Sequence, residues 1–380
     1  MRSPFATIAV LIALSCAVSA QQPLPGSGSG TRPENTRQSF REESTTNEIA
    51  ERAATSELNA GNEYFKKSNY DRAITSYKRA ISLAPSFFQA YYNLGCAYVD
   101  LRQYRDAQHA FEQALALNQK AAAVLRYLGS IHHKLGEFET AAHYFSACLE
   151  VEPVSIEARN GLAAAWSRLG KYAEAEASFA EALRIEPASS EALAGLCLNS
   201  SLAHQDETAV SYCERAAQQS PELVMVHYLL GKSYLNLRRY ELALPPLKRA
   251  AELSPGDGFV QNSLGLTYFG LKRFQEAVSS FQRATVLEPG LGEAYTGIGS
   301  GYLQLKKYRE AKEAFNETFK RDPASPVAHM NLALACLELG QRDCAIEQYN
   351  ILQDINPELA KTLHDKLYRN RVVTVPDSHK

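Results

Sequence analysis

YYNLGCAYVDLRQYRDAQHAFEQA, Tyr91 to Ala114, carries small and aromatic residues at helical spacing on both sides of a polar break. Tyr91, Leu94, Gly95 and Tyr98 fall three and four residues apart, and so do Tyr104, Ala107, Phe111 and Ala114. That spacing puts each set on one face of a helix. Two amphipathic helices joined by a short turn follow from the residues alone.

The arrangement recurs every 34 residues. With positions 1 to 34 counted from Ala54, position 20 is alanine in all nine copies, from Ala73 and Ala107 to Ala345. Position 32 is proline from Pro85 to Pro357, except for Gln119. Position 8 is glycine in six copies, and Ala163, Cys197 or Ala333 in the others. Position 24 is aromatic in seven, among them Phe111, Phe179 and Phe315. Small residues at positions 8, 20 and 27 let two backbones approach, and aromatics at 11, 17 and 24 fill the space beside them. Proline at 32 is expected to stop the second helix, because it has no N–H to donate. One helix pair cannot bury its own apolar face, so successive pairs must stack.

These residues resemble the tetratricopeptide repeat family, whose pattern runs W-x2-L-G-x2-Y, then A-x3-F, then P. Leu94-Gly95, Tyr98, Ala107, Phe111 and Ala114 show it, as do Leu264-Gly265, Tyr268, Ala277, Phe281, Ala284 and Pro289. The resemblance implies an all-α fold, a right-handed superhelical alpha-solenoid of helix-turn-helix repeats with first helices lining a concave groove. The chain divides into a signal peptide (1–20), a disordered linker (21–46) and nine TPR repeats (47–359). The repeats are 54–87, 88–121, 122–155, 156–189, 190–223, 224–257, 258–291, 292–325 and 326–359, followed by a capping helix and tail at 360–380. Thr45-Thr46-Asn47-Glu48 has capping-box spacing, so the first helix is expected to begin before Ala54. Glu358 to Tyr368 reads as the amphipathic cap.

The N-terminus predicts export. Arg2, the apolar run Phe5–Leu14 and Val18-Ser19-Ala20 form the three-part layout of a secretory signal, with cleavage after Ala20. A short membrane anchor is the alternative, and Leu14-Ser15-Cys16 leaves lipidation of Cys16 open. No other long apolar run occurs, so no membrane span is expected in the mature chain. Residues 21–46, with GSGSG at Gly26–Gly30, are too poor in large apolar side chains to offset their ordering entropy. The reading places the protein in a periplasm or outside the cell.

Forty basic and 42 acidic side chains give a net charge of -2, no basis for nucleic acid as partner. No HExxH, GxSxG, Walker loop or CxxC pair appears, and the nine histidines are scattered. The reading is therefore not an enzyme, with no cofactor and no metal. Glu174, Glu176 and Glu181 lie on the outer face of a second helix, so they are expected to be solvated rather than catalytic.

The fifth and ninth repeats have the weakest aromatic pattern, and each carries two cysteines. In a hairpin turning near positions 15 and 16, facing positions sum to about 31. Cys197 and Cys213 sum to 32, and Cys336 and Cys344 to 30, so each pair is a candidate disulfide. The alternative is that these cysteines simply fill small core positions. Cys96 and Cys148 sit on different repeats and are expected to be free thiols. Pro245 and Pro246, inside a second helix, predict a delayed helix start or a kink.

The family resemblance places positions 2, 5, 6, 9, 12 and 13 on the groove. Candidate peptide-binding residues are Asn62, Tyr92, Asn93, Arg126, Ser130, His133 and Asn160 in the first half. In the second they are Tyr228, Lys232, Asn262, Thr296 and Ser300. Amides pair with peptide donors and acceptors, tyrosines add flat area, and Arg126 and Lys232 suit a carboxylate. Some family members grip a C-terminal carboxylate with lysines, asparagines and an arginine from three repeats. Asn62 and Asn93 match the asparagine places, but Leu58, Ala123 and Tyr127 occupy the basic ones, so that clamp is not expected. The function implied is an exported, non-enzymatic scaffold binding a protein or peptide ligand in its groove, as a monomer or weak oligomer. The alternative is a structural part of a cell-envelope or secretion assembly, acting through its convex face and ends.

Overall fold

The computed structural model describes residues 34–368, so the expected signal peptide, the expected linker up to residue 33 and the tail from residue 369 lie outside the described residues. Among the described residues the chain is all helix. A long α1 (Glu34–Lys66) pairs with α2 (Tyr70–Leu83). Pairs α3 (Phe88–Asp100) and α4 (Tyr104–Leu117), α5 (Ala122–Lys134) and α6 (Phe138–Val151), and α7 (Ile156–Arg168) and α8 (Tyr172–Ile185) follow. Next come α9 (Ser190–Leu202) and α10 (Asp206–Gln219), α11 (Val224–Asn236) and α12 (Tyr240–Leu253), and α13 (Gly258–Gly270) and α14 (Phe274–Leu287). The last pairs are α15 (Gly292–Gln304) and α16 (Tyr308–Phe319), and α17 (Pro326–Glu338) and α18 (Arg342–Ile355), with α19 (Pro357–Tyr368) closing the array. The chain forms two compact units, one ending at Gly195 and the other starting at Leu196, within α9.

Helix α1 reaches back to Glu34, so residues 34–46 are helical where the sequence reading places a disordered linker. Pro33 is the last breaker before a run of Glu, Arg and Gln, which are good helix formers. Position 32 also needs a correction. Helix α4 stops at Leu117 although Gln119 replaces the proline, and its C-cap Asn118 leaves the helical region as Ala84 and Glu186 do. Proline marks this exit without being needed for it.

The turn inside every repeat has one geometry. Position 15 has φ between +56° and +81° at Ser68, Arg102, Gly136, Gly170, His204, Arg238, Lys272, Lys306 and Gly340. The amide of position 16 then reaches back to the carbonyl of position 11, as in Asn69 to Tyr64 at 2.9 Å and Gln103 to Tyr98 at 2.9 Å. This left-handed closure satisfies carbonyls that a helix end would otherwise orphan.

The core is set by the ring at position 24. Tyr77, Phe111, Phe145, Phe179, Phe281 and Phe315 are almost wholly buried. Each fills the space above a glycine, either at position 8 of its own repeat or at position 6 of the next. A Cβ on Gly95 would stand 2.8 Å from the Phe111 ring, and one on Gly195 would stand 2.3 Å from Phe179. Tyr127, at position 6, instead stacks on Phe111 with centroids 4.9 Å apart.

Helix α12 runs unbroken through Pro245 and Pro246 and starts at the usual position 17, so the expected delayed start does not occur. The carbonyls left without a donor belong to Glu241 and Leu242, both exposed, where water can satisfy them. Helix α19 buries Ala360, Leu363 and Leu367 in the last cluster and turns Glu358, Lys361, Asp365 and Lys366 outward. Pro357 opens it as the first helical residue, and Arg342 donates to its Leu367 carbonyl at 2.8 Å.

Candidate functional site

In the unit up to Gly195, the first helices α1, α3, α5 and α7 present the candidate residues, and most prove to be committed. Asn62 Oδ1 accepts from Asn93 Nδ2 at 2.8 Å and from the Tyr77 hydroxyl at 2.9 Å. The two asparagines that match the carboxylate clamp therefore bind each other. The Tyr92 ring lies against Phe111 and Tyr127, centroids 5.8 and 5.9 Å away. Ser130 is fully buried and donates to the Arg126 carbonyl at 3.0 Å, so it offers a ligand no donor. Arg126 itself is half-buried beside the Tyr127 ring.

His133 sits edge-on to Phe138, centroids 5.2 Å apart. Burial first, then the Arg168 and Lys134 charges, bring its imidazole down to about 4, so it is neutral near pH 7. Its neighbour His132 faces the other way, stacked on Tyr144 and bonded to Glu137 at 2.5 Å. That hydrogen bond, with a second from Arg105, holds the Glu137 carboxyl below the usual range.

Asn160 is 1% exposed and donates through Nδ2 to Glu191 Oε2 at 3.2 Å. Glu191 was not among the sequence candidates. Burial raises its carboxyl above the usual range, Glu157 adds to the rise, and the Asn160 hydrogen bond opposes it. Asn160 Oδ1, Glu191 Oε1 and His133 Nε2 are buried and have no protein hydrogen-bond partner.

In the unit from Leu196, Tyr228 on α11 is half-buried, and burial raises its hydroxyl above the usual range. Lys232 is half-buried on the same helix. Asn262 on α13 is 6% exposed, again with Oδ1 buried and unpartnered. Thr296 donates to the Gly292 carbonyl at 3.2 Å, and Ser300 accepts from Asn331 at 3.0 Å. One register explains these pairs. Asn93 lies 31 residues after Asn62, Glu191 after Asn160, and Asn331 after Ser300. A first-helix residue thus meets the position three places earlier in the next repeat. That offset is a sequence signal that would have found Glu191 and Asn331.

The structure joins Cys197 to Cys213, with Cα atoms 4.8 Å apart, and Cys336 to Cys344 at 6.0 Å. Cys148 is a buried thiol that burial pushes up to about 11. Cys96, expected to be free, is instead disulfide-bonded, because pairing by facing positions considers only partners within one repeat. Among the described residues no His, Cys, Asp and Glu cluster could hold a metal ion, and no helix is long and apolar enough to cross a membrane.

Family comparison agrees with this architecture. A tetratricopeptide repeat profile matches residues 92–147, 134–190, 207–258, 228–292 and 296–360, and a TPR repeat profile matches 61–101. The chain belongs to the tetratricopeptide repeat family. No curated protein matches it significantly. Its fold is similar to that of a tetratricopeptide repeat protein from Parabacteroides merdae (TM-score 0.52, 16% identity, 66% of this chain and 99% of that one). It is also similar to the APC/C hetero-tetramer Cut9–Hcn1 (TM-score 0.50, 18% identity, 83% of this chain and 76% of that one). YrrB, a TPR protein with an unusual peptide-binding site, aligns with TM-score 0.46 and 24% identity over 49% of this chain and 96% of its own.

Proposed function

We propose that the protein is an exported, non-enzymatic scaffold that binds segments of protein partners along its first-helix face. The fold supports protein–protein interaction in general, as in its family. One observation supports the groove in particular. Asn160, Glu191, His133 and Asn262 bury polar atoms without protein partners on the first helices. A merely solvated wall would keep such groups in water, because burying them unpaired costs about 1–3 kcal/mol each. Export rests on Arg2, the Phe5–Leu14 run and Val18-Ser19-Ala20, and it places the protein in a periplasm or outside the cell.

The test replaces Arg126, Asn160 and Asn262 together with alanine and compares capture of envelope proteins by the variant and the parent. Circular dichroism confirms that both are folded. Loss of the captured partners supports the groove. Unchanged capture refutes it and favours an assembly role for the second-helix face and ends. Removal of residues 1–20 is expected to abolish export, and retained export would refute the signal reading.

A further inference from the structure

We propose that Glu191, Glu157 and Asn160 receive a cationic side chain, a lysine or arginine of the bound segment; this rests on the groove reading above. The chemistry of the unfilled atoms points there. Asn160 gives its Nδ2 to Glu191 Oε2, which turns Oδ1 away and leaves it an acceptor. Glu191 Oε1, the other buried and unpartnered atom, is an acceptor too. A ligand that satisfies both must bring N–H or O–H donors.

Charge narrows the class. Glu157 precedes Asn160 by one helical turn on α7, so both lie on one face. Among the described residues neither Glu157 nor Glu191 joins an ion pair. Glu157 accepts only from the Ser155 hydroxyl, at 3.4 Å. Of the nearby guanidinium groups, Arg126 lies beside the Tyr127 ring, and Arg159 donates through one Nη to the Pro153 carbonyl at 2.5 Å while its Nε is buried without a partner; neither forms an ion pair with Glu157 or Glu191. The Glu191 carboxylate, half-buried and served by a neutral amide, is costly without a counter-charge, and the exposed Glu157 adds a like charge beside it. An ammonium or guanidinium supplies the donors and that charge together, whereas a backbone amide supplies donors alone. The same pair of residue types recurs in the other unit at Asn262 and Glu293, again 31 apart, and Asn262 Oδ1 is again buried and unpartnered.

The test uses the oxidised full chain and a phage-displayed library of random decapeptides, with the selected peptides resynthesised and titrated calorimetrically. Selected peptides are expected to carry lysine or arginine. Exchange of that residue for norleucine or citrulline should weaken binding at least about tenfold, and Glu191→Gln should do the same. Glu191→Gln should also leave the thermal midpoint unchanged or raise it, because it removes a buried charge and keeps the acceptor for Asn160. Glu174→Gln, an exposed acid on α8, should change neither quantity. Peptides that bind without a basic residue, or with unaltered affinity for the Glu191→Gln protein, overturn the cation assignment and leave the groove standing. A lowered midpoint with equal weakening of basic and neutral peptides overturns it in favour of a structural role. Capture of no peptide at all overturns the groove reading and this one with it.

Discussion

Every fully buried ring at position 24 has a glycine on at least one side, and repeat four offers the sharpest test. Phe179 is 1% exposed. Its own position 8 is Ala163, fully buried, so Gly195 is the one glycine beside it. A Cβ on Gly195 would stand 2.3 Å from the ring, where carbon contacts settle at about 3.5–4.0 Å. In Gly195→Ala the ring must retreat by more than about 1 Å toward a methyl group that is already packed. Such overpacking costs about 3 kcal/mol, at the upper end of its usual range, while alanine returns about 1 kcal/mol of helix propensity. The net expectation is a loss of about 2 kcal/mol. Phe145 is flanked by glycine on both sides, Gly129 and Gly161, so Gly161→Ala leaves the ring an escape and should cost less than about 1 kcal/mol.

Ala163→Gly should rescue Gly195→Ala by restoring a glycine on the opposite side, the arrangement already present at Gly95, Phe111 and Tyr127. Repeat arrays need not unfold in one step. The assay is therefore urea denaturation by circular dichroism combined with hydrogen exchange resolved to α8 and α9. A coupling of about 2 kcal/mol between positions 163 and 195 is expected. Strict additivity, or a Gly195→Ala protein more stable than the parent, would refute the reasoning.

Replacing Cys213 with serine should lower the stability of α9–α10 by about 2–3 kcal/mol, read by hydrogen exchange, with less effect on α3–α6. Lys272→Gly relieves a non-glycine residue at φ +59° and should stabilise its hairpin by about 0.5–1 kcal/mol in urea titration. Pro245→Ala restores one backbone hydrogen bond inside α12 and should raise stability by about 1–3 kcal/mol, measured the same way. His133 has its folded-state pKa depressed to about 4 from an ordinary 6.5, so the unfolded chain binds the extra proton first. The stability it contributes is therefore full above pH 6.5 and lost as pH falls toward 4, up to about 3 kcal/mol. His133→Gln should flatten the pH–stability profile over that window.

The period, the helix pairing and the glycine–aromatic contacts were legible because they repeat, and Ala73 to Ala345 keep one phase without an insertion. The turn was not. Six of its nine left-handed residues are serine, arginine, histidine or lysine, and no local preference announces positive φ there. Surface position proved a poor guide to the groove. Asn62, Asn93, Ser130 and Ser300 occupy groove positions yet spend their hydrogen bonds on neighbouring repeats or their own backbone. Position along one helix fixes which face a side chain occupies. The 31-residue register between helices decides whether another residue meets it there.

The facing of helices within a hairpin also accounts for Cys197 and Cys213. Positions 8 and 24 face each other in every hairpin, and position 6 of the next repeat closes the same space. Repeat five has Cys197 at position 8 and Leu229 at position 6 of its successor, so no glycine remains to receive a ring. A phenylalanine at position 213 would meet side chains on both sides. The disulfide between Cys197 and Cys213 occupies the place of the glycine–phenylalanine contact, fully buried as those rings are. Its two sulfurs fill less volume than a ring but hold the helices together covalently. The hairpin that lacks an aromatic core is thus closed by a bond whose persistence depends on the redox state of its surroundings.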